Sequence, residues 1–109
     1  MLGQFVKYHG AGNDFIVFSG DYTGFNASAI KYLCNRKLGI GADGLICVEN
    51  IKNSTFDFTV HFFNSNGKLG SLCGNGSRCA INFAHSKGFF LGDSCNFQAS
   101  DGLSWSSIL

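Results

Sequence analysis

A thiol that is to move protons at neutral pH needs its own proton weakened, and one stretch of this sequence offers the means. In Asn64-Ser65-Asn66-Gly67-Lys68-Leu69-Gly70-Ser71-Leu72-Cys73-Gly74-Asn75-Gly76-Ser77-Arg78-Cys79 an apolar strand ends, a glycine-punctuated turn follows, and a helical pattern begins. A cysteine directly ahead of Gly-Asn-Gly and an amphipathic helix sits where unpaired N–H groups and the positive end of the helix dipole converge. That setting lowers a thiol pKa from about 8.5 toward neutrality, which makes Cys73 a base or nucleophile. The same N–H groups can bind an anion such as a carboxylate. On spacing alone the plainer alternative comes first, a buried core cysteine ahead of a tight turn, because free Cys is among the most buried residue types.

Two other stretches hold polar groups in glycine-rich turns. Gly10-Ala11-Gly12-Asn13 interrupts a strand pattern that runs from Gln4 to His9 and resumes over Asp14 to Phe18. Its glycines permit positive φ and close approach to a ligand, and the Asn13 amide can both donate and accept. It lacks the G-x-G-x-x-G and G-K-[ST] patterns of phosphate loops, so by itself it reads as a hairpin turn. His9 reads as a solvent-facing strand histidine. Asp43 is the only charge in the run Leu38 to Ile46. An aspartate in a turn first suggests a bond to its own backbone, and only second a catalytic acid.

The elements that must hold these groups are legible in outline. Asn26 is an N-cap for a helix over Ala27 to Arg36, with Ile30, Leu33 and Cys34 on one face. Leu45 to Glu49 reads as a strand. Phe56 to Phe63 alternates, with Phe56, Phe58, Val60 and Phe62 on one face and Asp57, Thr59 and His61 on the other, as in a half-buried antiparallel strand. Asn66-Gly67 marks a turn that leaves Asn64 at the strand end. From Gly76 a helical period takes in Ser77, Cys79, Ala80, Phe83 and Ala84, and Lys87-Gly88 closes it. Cys79 should pack inward while Cys73 stays at the mouth. The residues from Cys95 to Ile108 read as a hairpin around Asp101-Gly102. The fold expected is α+β, a curled and mainly antiparallel mixed sheet around the helix that starts near Gly76, with the Phe56, Phe58, Val60 and Phe62 face on that helix beside Phe83.

Composition sets the class. The 109 residues form a single domain, 45% hydrophobic and 14% charged, with twelve Phe, fifteen Gly and no Pro. The charged share is low against an average of about 25%, which suggests a face meant to be covered. A net charge of +1 and no Lys/Arg cluster argue against nucleic acid. No apolar run approaches the roughly 20 residues of a membrane span, and Met1-Leu2-Gly3-Gln4 lacks the regions of a signal peptide, so the expected location is cytoplasmic. Five cysteines, at 34, 47, 73, 79 and 95, read as reduced thiols. They lack the paired short spacings of a zinc site, so no metal is expected.

Four blocks together carry a resemblance: Tyr8-His9-Gly10-Ala11-Gly12-Asn13-Asp14-Phe15, Gly39-Ile40-Gly41-Ala42-Asp43-Gly44, Phe63-Asn64-Ser65-Asn66-Gly67 and Cys73-Gly74-Asn75-Gly76-Ser77-Arg78-Cys79. In order and spacing they resemble diaminopimelate epimerase over nearly the whole chain. The resemblance displaces the plain readings of Cys73 and Asn13. It implies a cofactor-independent racemase-type enzyme that inverts one α-carbon of diaminopimelate, serving lysine and peptidoglycan synthesis. The implied fold has two similar halves, each a curled sheet around a central helix, with the amino-acid substrate between them. Removing a weakly acidic α-proton on one face and returning a proton on the other takes two thiols, with donors holding the carboxylate. Cys73 matches the first thiol. The N–H groups of Gly74 and Asn75 would grip the α-carboxylate, with Asn13 and Asn64 as side-chain contacts. The second thiol belongs to the other half, so residues 1–109 are expected to be an N-terminal half whose partner half is absent, inactive in isolation; a homodimer is admitted.

Two departures in sequence accompany the match. Gly44 stands where many relatives carry Gln, which removes any side-chain contact from that position, and the turn Lys68-Leu69-Gly70-Ser71 lacks the acidic residues common there. Other readings of the same residues are a related isomerase of this fold, of the phenazine-biosynthesis or proline-racemase type, and a non-catalytic half-domain that binds an amino acid or a partner chain.

Overall fold

From Phe15 to Phe18 every side chain is apolar, and a strand of that kind must be covered on both faces. The structure, a computed structural model that describes residues 5–10, 12–20, 22–50, 55–72, 74–100, 102 and 104–108, covers it with a helix on each side. The elements are β1 (Phe5–Gly10), β2 (Asn13–Ser19), α1 (Ala27–Cys34), β3 (Gly44–Glu49), β4 (Phe58–Asn64), α2 (Gly74–Ser86), β5 (Ser94–Ala99) and β6 (Ser104–Ile108). The six strands form one sheet in sequence order. The pairs β1·β2, β3·β4 and β5·β6 are antiparallel, while β2·β3 and β4·β5 are parallel. The expected α+β sheet is thus mixed, with its two parallel joints made by the two helices.

The sheet separates two cores. On one side Phe15, Val17, Ile46, Val48, Phe58, Val60, Phe62 and Phe97 pack with Cys79, Ala80, Phe83 and Ala84 of α2. On the other, Ile16, Phe18, Leu45, Cys47 and Phe63 pack with Ile30 and Cys34 of α1. Helix α2 lies against β1, β2, β3 and β4, the placement expected for a central helix. Phe58, Val60 and Phe62 face α2 in the cluster that holds Phe83, as their alternation predicts. Phe56 does not join them. It is half-buried and precedes the strand, because the Asp57 N–H donates to the Asn96 carbonyl and the Asp57 carboxylate accepts from the Asn96 N–H, so the chain enters the sheet only at Phe58.

Both helices depart from their expected bounds for local reasons. In α1 the Asn26 side chain accepts from the Ala29 N–H at 2.8 Å, the expected cap. The helix stops at Cys34, two residues short of Arg36, because the Asn35 side chain accepts from the Lys37 and Leu38 N–H groups and turns the chain away. Helix α2 begins at Gly74, ahead of the expected start near Gly76. It ends at Ser86 and is closed as expected at Lys87-Gly88, where Gly88 has φ +74°. There the Phe89 N–H reaches the Ala84 carbonyl and the Gly88 N–H the His85 carbonyl, the paired bonds of a Schellman closure. The β5–β6 hairpin also forms, with Gly102 at φ +87°.

Candidate active site

Register brings three of the four blocks to one end of the sheet. Phe15 pairs with Gly44 in the parallel joint and Gly44 with Asn64 in the antiparallel one, so the start of β2, the start of β3 and the end of β4 lie side by side. The fourth block arrives by a return of the chain. After Asn64 the turn closes with Gly67 at φ +88°, and Leu69 bridges back to Phe63 while the Gly70 N–H donates to the Phe62 carbonyl. Gly67 is required twice, by its left-handed backbone and by its seat on α1, where a Cβ would stand 2.2 Å from the Ala27 carbonyl oxygen. The segment then delivers Gly74, the first residue of α2, to the same end.

There the Asn75 Nδ2 donates to the Asn13 Oδ1 at 2.9 Å, which joins the first and last blocks across 62 positions of sequence. Gly10, at the end of β1, closes on the same helix: a Cβ there would lie 3.4 Å from the Asn75 Cβ and 3.7 Å from the Cys79 Sγ. Asn64 is exposed, and its amide lies over Gly70, where a Cβ would come within 2.7 Å of Nδ2. Gly74 is exposed at the first turn of α2, which carries no acidic side chain to compete for an anion. Cys73 lies outside the described residues. Cys79 packs inward at 3% exposure, as expected. His9 is exposed, again as expected.

Asp43 fits neither simple reading. Its carboxylate accepts from the Asn13 Nδ2 at 3.2 Å, from the Asp14 N–H at 3.1 Å and from Arg36 at 3.1 Å, so it ties the β1–β2 turn to the loop ahead of β3. Beside it stands a group that sequence reasoning missed. Asp14 is buried and takes both arms of the Arg36 guanidinium, at 3.0 and 2.7 Å, together with the Lys7 ammonium at 3.0 Å. The Arg36 bonds, followed by Lys7, hold its carboxyl well below the usual carboxylate range despite its burial. The one signal in the sequence is a charge at the head of an apolar strand.

Gly44 is buried, and the place a side chain would start from is filled. A Cβ would meet the Phe62 ring at 2.8 Å and the Phe63 carbonyl oxygen at 2.8 Å, so a Gln in this chain would force the β4 strand to move. The other described thiols are buried in the two cores, Cys34 and Cys47 on the α1 side and Cys79 and Cys95 on the α2 side. Burial pushes the Cys34 thiol up, and that of Cys95 to about 11. Among the described residues, no group of three or more His, Cys, Asp or Glu side chains could hold a metal ion, and no helix is long and apolar enough to cross a membrane.

Residues 5–108 match the family model described as diaminopimelate epimerase. The chain belongs to the diaminopimelate epimerase family. Among its relatives, the diaminopimelate epimerase of Flavobacterium psychrophilum is 42% identical over 108 residues, covering 96% of this chain and 41% of the relative. That of Aquifex aeolicus is 36% identical over 110 residues, covering 92% of this chain and 39% of its own length. The chain therefore spans less than half the length of the curated relatives it matches, and corresponds to their N-terminal portion. Among solved structures, a methylitaconate-delta-isomerase superposes with a TM-score of 0.76 at 13% identity, over 94% of this chain and 33% of that one. A PhzF-family phenazine biosynthesis protein from Bacillus anthracis superposes with a TM-score of 0.60 at 16% identity, over 94% of this chain and 33% of its own. Identities this low speak for the fold alone, which is the fold expected for half of a two-domain member of this group.

Proposed function

We propose that this chain forms one half of a cofactor-independent, two-thiol epimerase that inverts an α-carbon of diaminopimelate in the cytoplasm. The observation that carries the reading is the Asn75–Asn13 bond, because it gathers the Gly-Ala-Gly-Asn turn and the Cys-Gly-Asn-Gly helix start into one place. Within this reading Cys73, next in the chain to Gly74, removes the α-proton. The N–H groups of Gly74 and Asn75, at the positive end of α2, take the charge that builds on the substrate carboxylate. Asn13 and Asn64, brought to the same end of the sheet by register, fix the substrate's orientation. The thiols of Cys34, Cys47, Cys79 and Cys95 are packed in the cores and are unsuited to return a proton from the opposite side. The second thiol is accordingly assigned to a further half like that which completes the longer relatives. Residues 1–109 are read as one domain, and pairing of whole subunits into a homodimer is compatible with this arrangement.

The test measures α-proton exchange in heavy water and stereochemical inversion of diaminopimelate. It uses the native chain, Cys73→Ala and Cys73→Ser, each with and without the C-terminal portion of the Flavobacterium psychrophilum relative. Inversion should need the added portion and should disappear in both variants. Inversion by the 109 residues alone, or complemented turnover that survives Cys73→Ala, would refute the reading. Halves that bind each other without turnover favour the non-catalytic half-domain. Alkylation against pH supplies a check on the thiol itself: Cys73 should react with a midpoint below about 8.5, and Cys34 and Cys95 far more slowly.

A further inference from the structure

The Asn13 and Asn75 amides can each face two ways, and a site that binds through them needs one. We propose that Asp43 is a positioning residue that sets the direction of both, with Arg36 holding Asp43 in place. An ionised carboxylate only accepts, so the Asn13 amide must turn its nitrogen toward Asp43 Oδ2, 3.2 Å away. That leaves Asn13 Oδ1, which also only accepts, facing α2. Asn75 must then present its nitrogen, and does so at 2.9 Å. The result is a one-way chain of hydrogen bonds, Asn75 to Asn13 to Asp43, that starts on the first turn of α2 and ends on a negative charge.

The charged end is itself fixed from three sides. The Asp14 N–H donates to the same Oδ2 at 3.1 Å, and Arg36 donates to Oδ1 at 3.1 Å. Arg36 cannot swing away, because its other bonds are the fork onto buried Asp14, which Lys7 also pairs. The Asp43 N–H in turn donates to the Asp14 carbonyl at 2.9 Å, which locks the two turns together. A neutral amide at position 43 could offer either oxygen or nitrogen to Asn13, so both orientations of both asparagines would become accessible with little change in shape. The relay follows from the bonds alone; its consequence for turnover rests on the epimerase reading.

The test needs no substrate. In the 15N-labelled chain the side-chain amide protons of Asn13 and Asn75 should exchange with water several-fold more slowly than those of exposed Asn82. Asp43→Asn should raise exchange at Asn13 by about fivefold to tenfold, the equivalent of one lost hydrogen bond, and should raise it at Asn75 as well, although residue 43 donates nothing to Asn75. Asp43→Glu should restore most of the protection. Asp57→Asn, at a carboxylate that bonds the Asn96 backbone away from the site, should leave both amides unchanged. Unchanged exchange at Asn13 and Asn75 in Asp43→Asn overturns the proposal, and so does a response at Asn13 that Asn75 does not share. Should Asp43→Asn fail to fold, Arg36→Lys keeps a cation beside Asp14 and removes the arm that reaches Asp43; no change at Asn13 there overturns it equally. A complemented enzyme without turnover but with protected amides would count against the epimerase reading and leave the relay standing.

Discussion

Helices α1 and α2 make the same topological move, each joining a strand to its parallel neighbour, and differ in how their first turns are finished. Helix α1 is closed by its own surroundings. Asn26 caps it, the Gly67 turn is seated on Ala27, and its last carbonyls accept from Asn35, Gly41 and Ala42. Helix α2 is closed at its far end by the Gly88 turn, while its first turn carries no acidic side chain and sends the Asn75 amide to Asn13. One helix start is tied down by its own cap, the other by the bond from Asn75 to the β1–β2 turn. The two also lie on opposite faces, and the chain direction explains it. Strands are added in one direction across the sheet, yet β2 and β3 run opposite to β4 and β5. Right-handed crossovers made along opposite strand directions must fall on opposite sides.

The largest test of this contrast is at the core of α2. Phe83 is 2% exposed, with Tyr8 and Phe89 edge-on to its ring. Phe83→Ala should lower unfolding free energy by about 3–5 kcal/mol in urea titrations, enough to threaten folding of a small domain. A loss below 1 kcal/mol would mean that α2 is not the helix around which the sheet closes.

Next is the ion pair that anchors the end of α1 to the site. The folded pKa of Asp14 is depressed, so its stabilisation is fully present above the unfolded value of about 3.9 and fades as pH falls through the folded value. Asp14→Asn should cost about 2 kcal/mol at pH 7, and the gap to the native chain should narrow steadily below about pH 4. A gap independent of pH would mean that packing, not charge, is what Asp14 supplies.

The smallest effect sharpens the contrast most. Asn26→Ala should cost about 1 kcal/mol while the Asn13 and Asn75 amide signals stay where they are. Movement of those signals would show the two helix starts to be coupled.

How much of this could be read in advance follows from the range of the interactions. The Asn26 cap, the Gly88 closure, the β5–β6 hairpin and the Phe58 to Phe62 face are all set within a few residues, and each is legible in local pattern. The end of α1 was not, because the Asn35 side chain competes for backbone N–H groups that the helical period assigns to another turn. Asp43 invited a local reading, whereas its bonds go to Asn13, Asp14 and Arg36, 30, 29 and 7 positions away. The role of Asp14 was hidden for the same reason, since Arg36 lies 22 positions on. Asn13 and Asn75 came together through the family pattern, since no spacing rule links residues 62 apart. At Gly44 the sequence shows only that a side chain is missing; the Phe62 ring and the Phe63 carbonyl, which leave no room for one, become visible once β3 and β4 are paired.

The strand order has a consequence for how this chain is made. Every strand pairs with the one synthesised just before it, so no later strand has to be inserted between two that are already joined. As the polypeptide leaves the ribosome, the β1–β2 hairpin, then α1 with β3 and β4, then α2 with β5 and β6 can be laid down in turn, the sheet always growing at a single edge. The antiparallel pairs close over the shorter connections, while the two parallel joints must each wait for a helix to be made and are the slower steps. Until β5 docks, the exposed margin is β4, and until α2 is made its apolar face has no cover. In that interval a strand edge and an apolar face are both uncovered, the two features that make a partly made chain prone to aggregate.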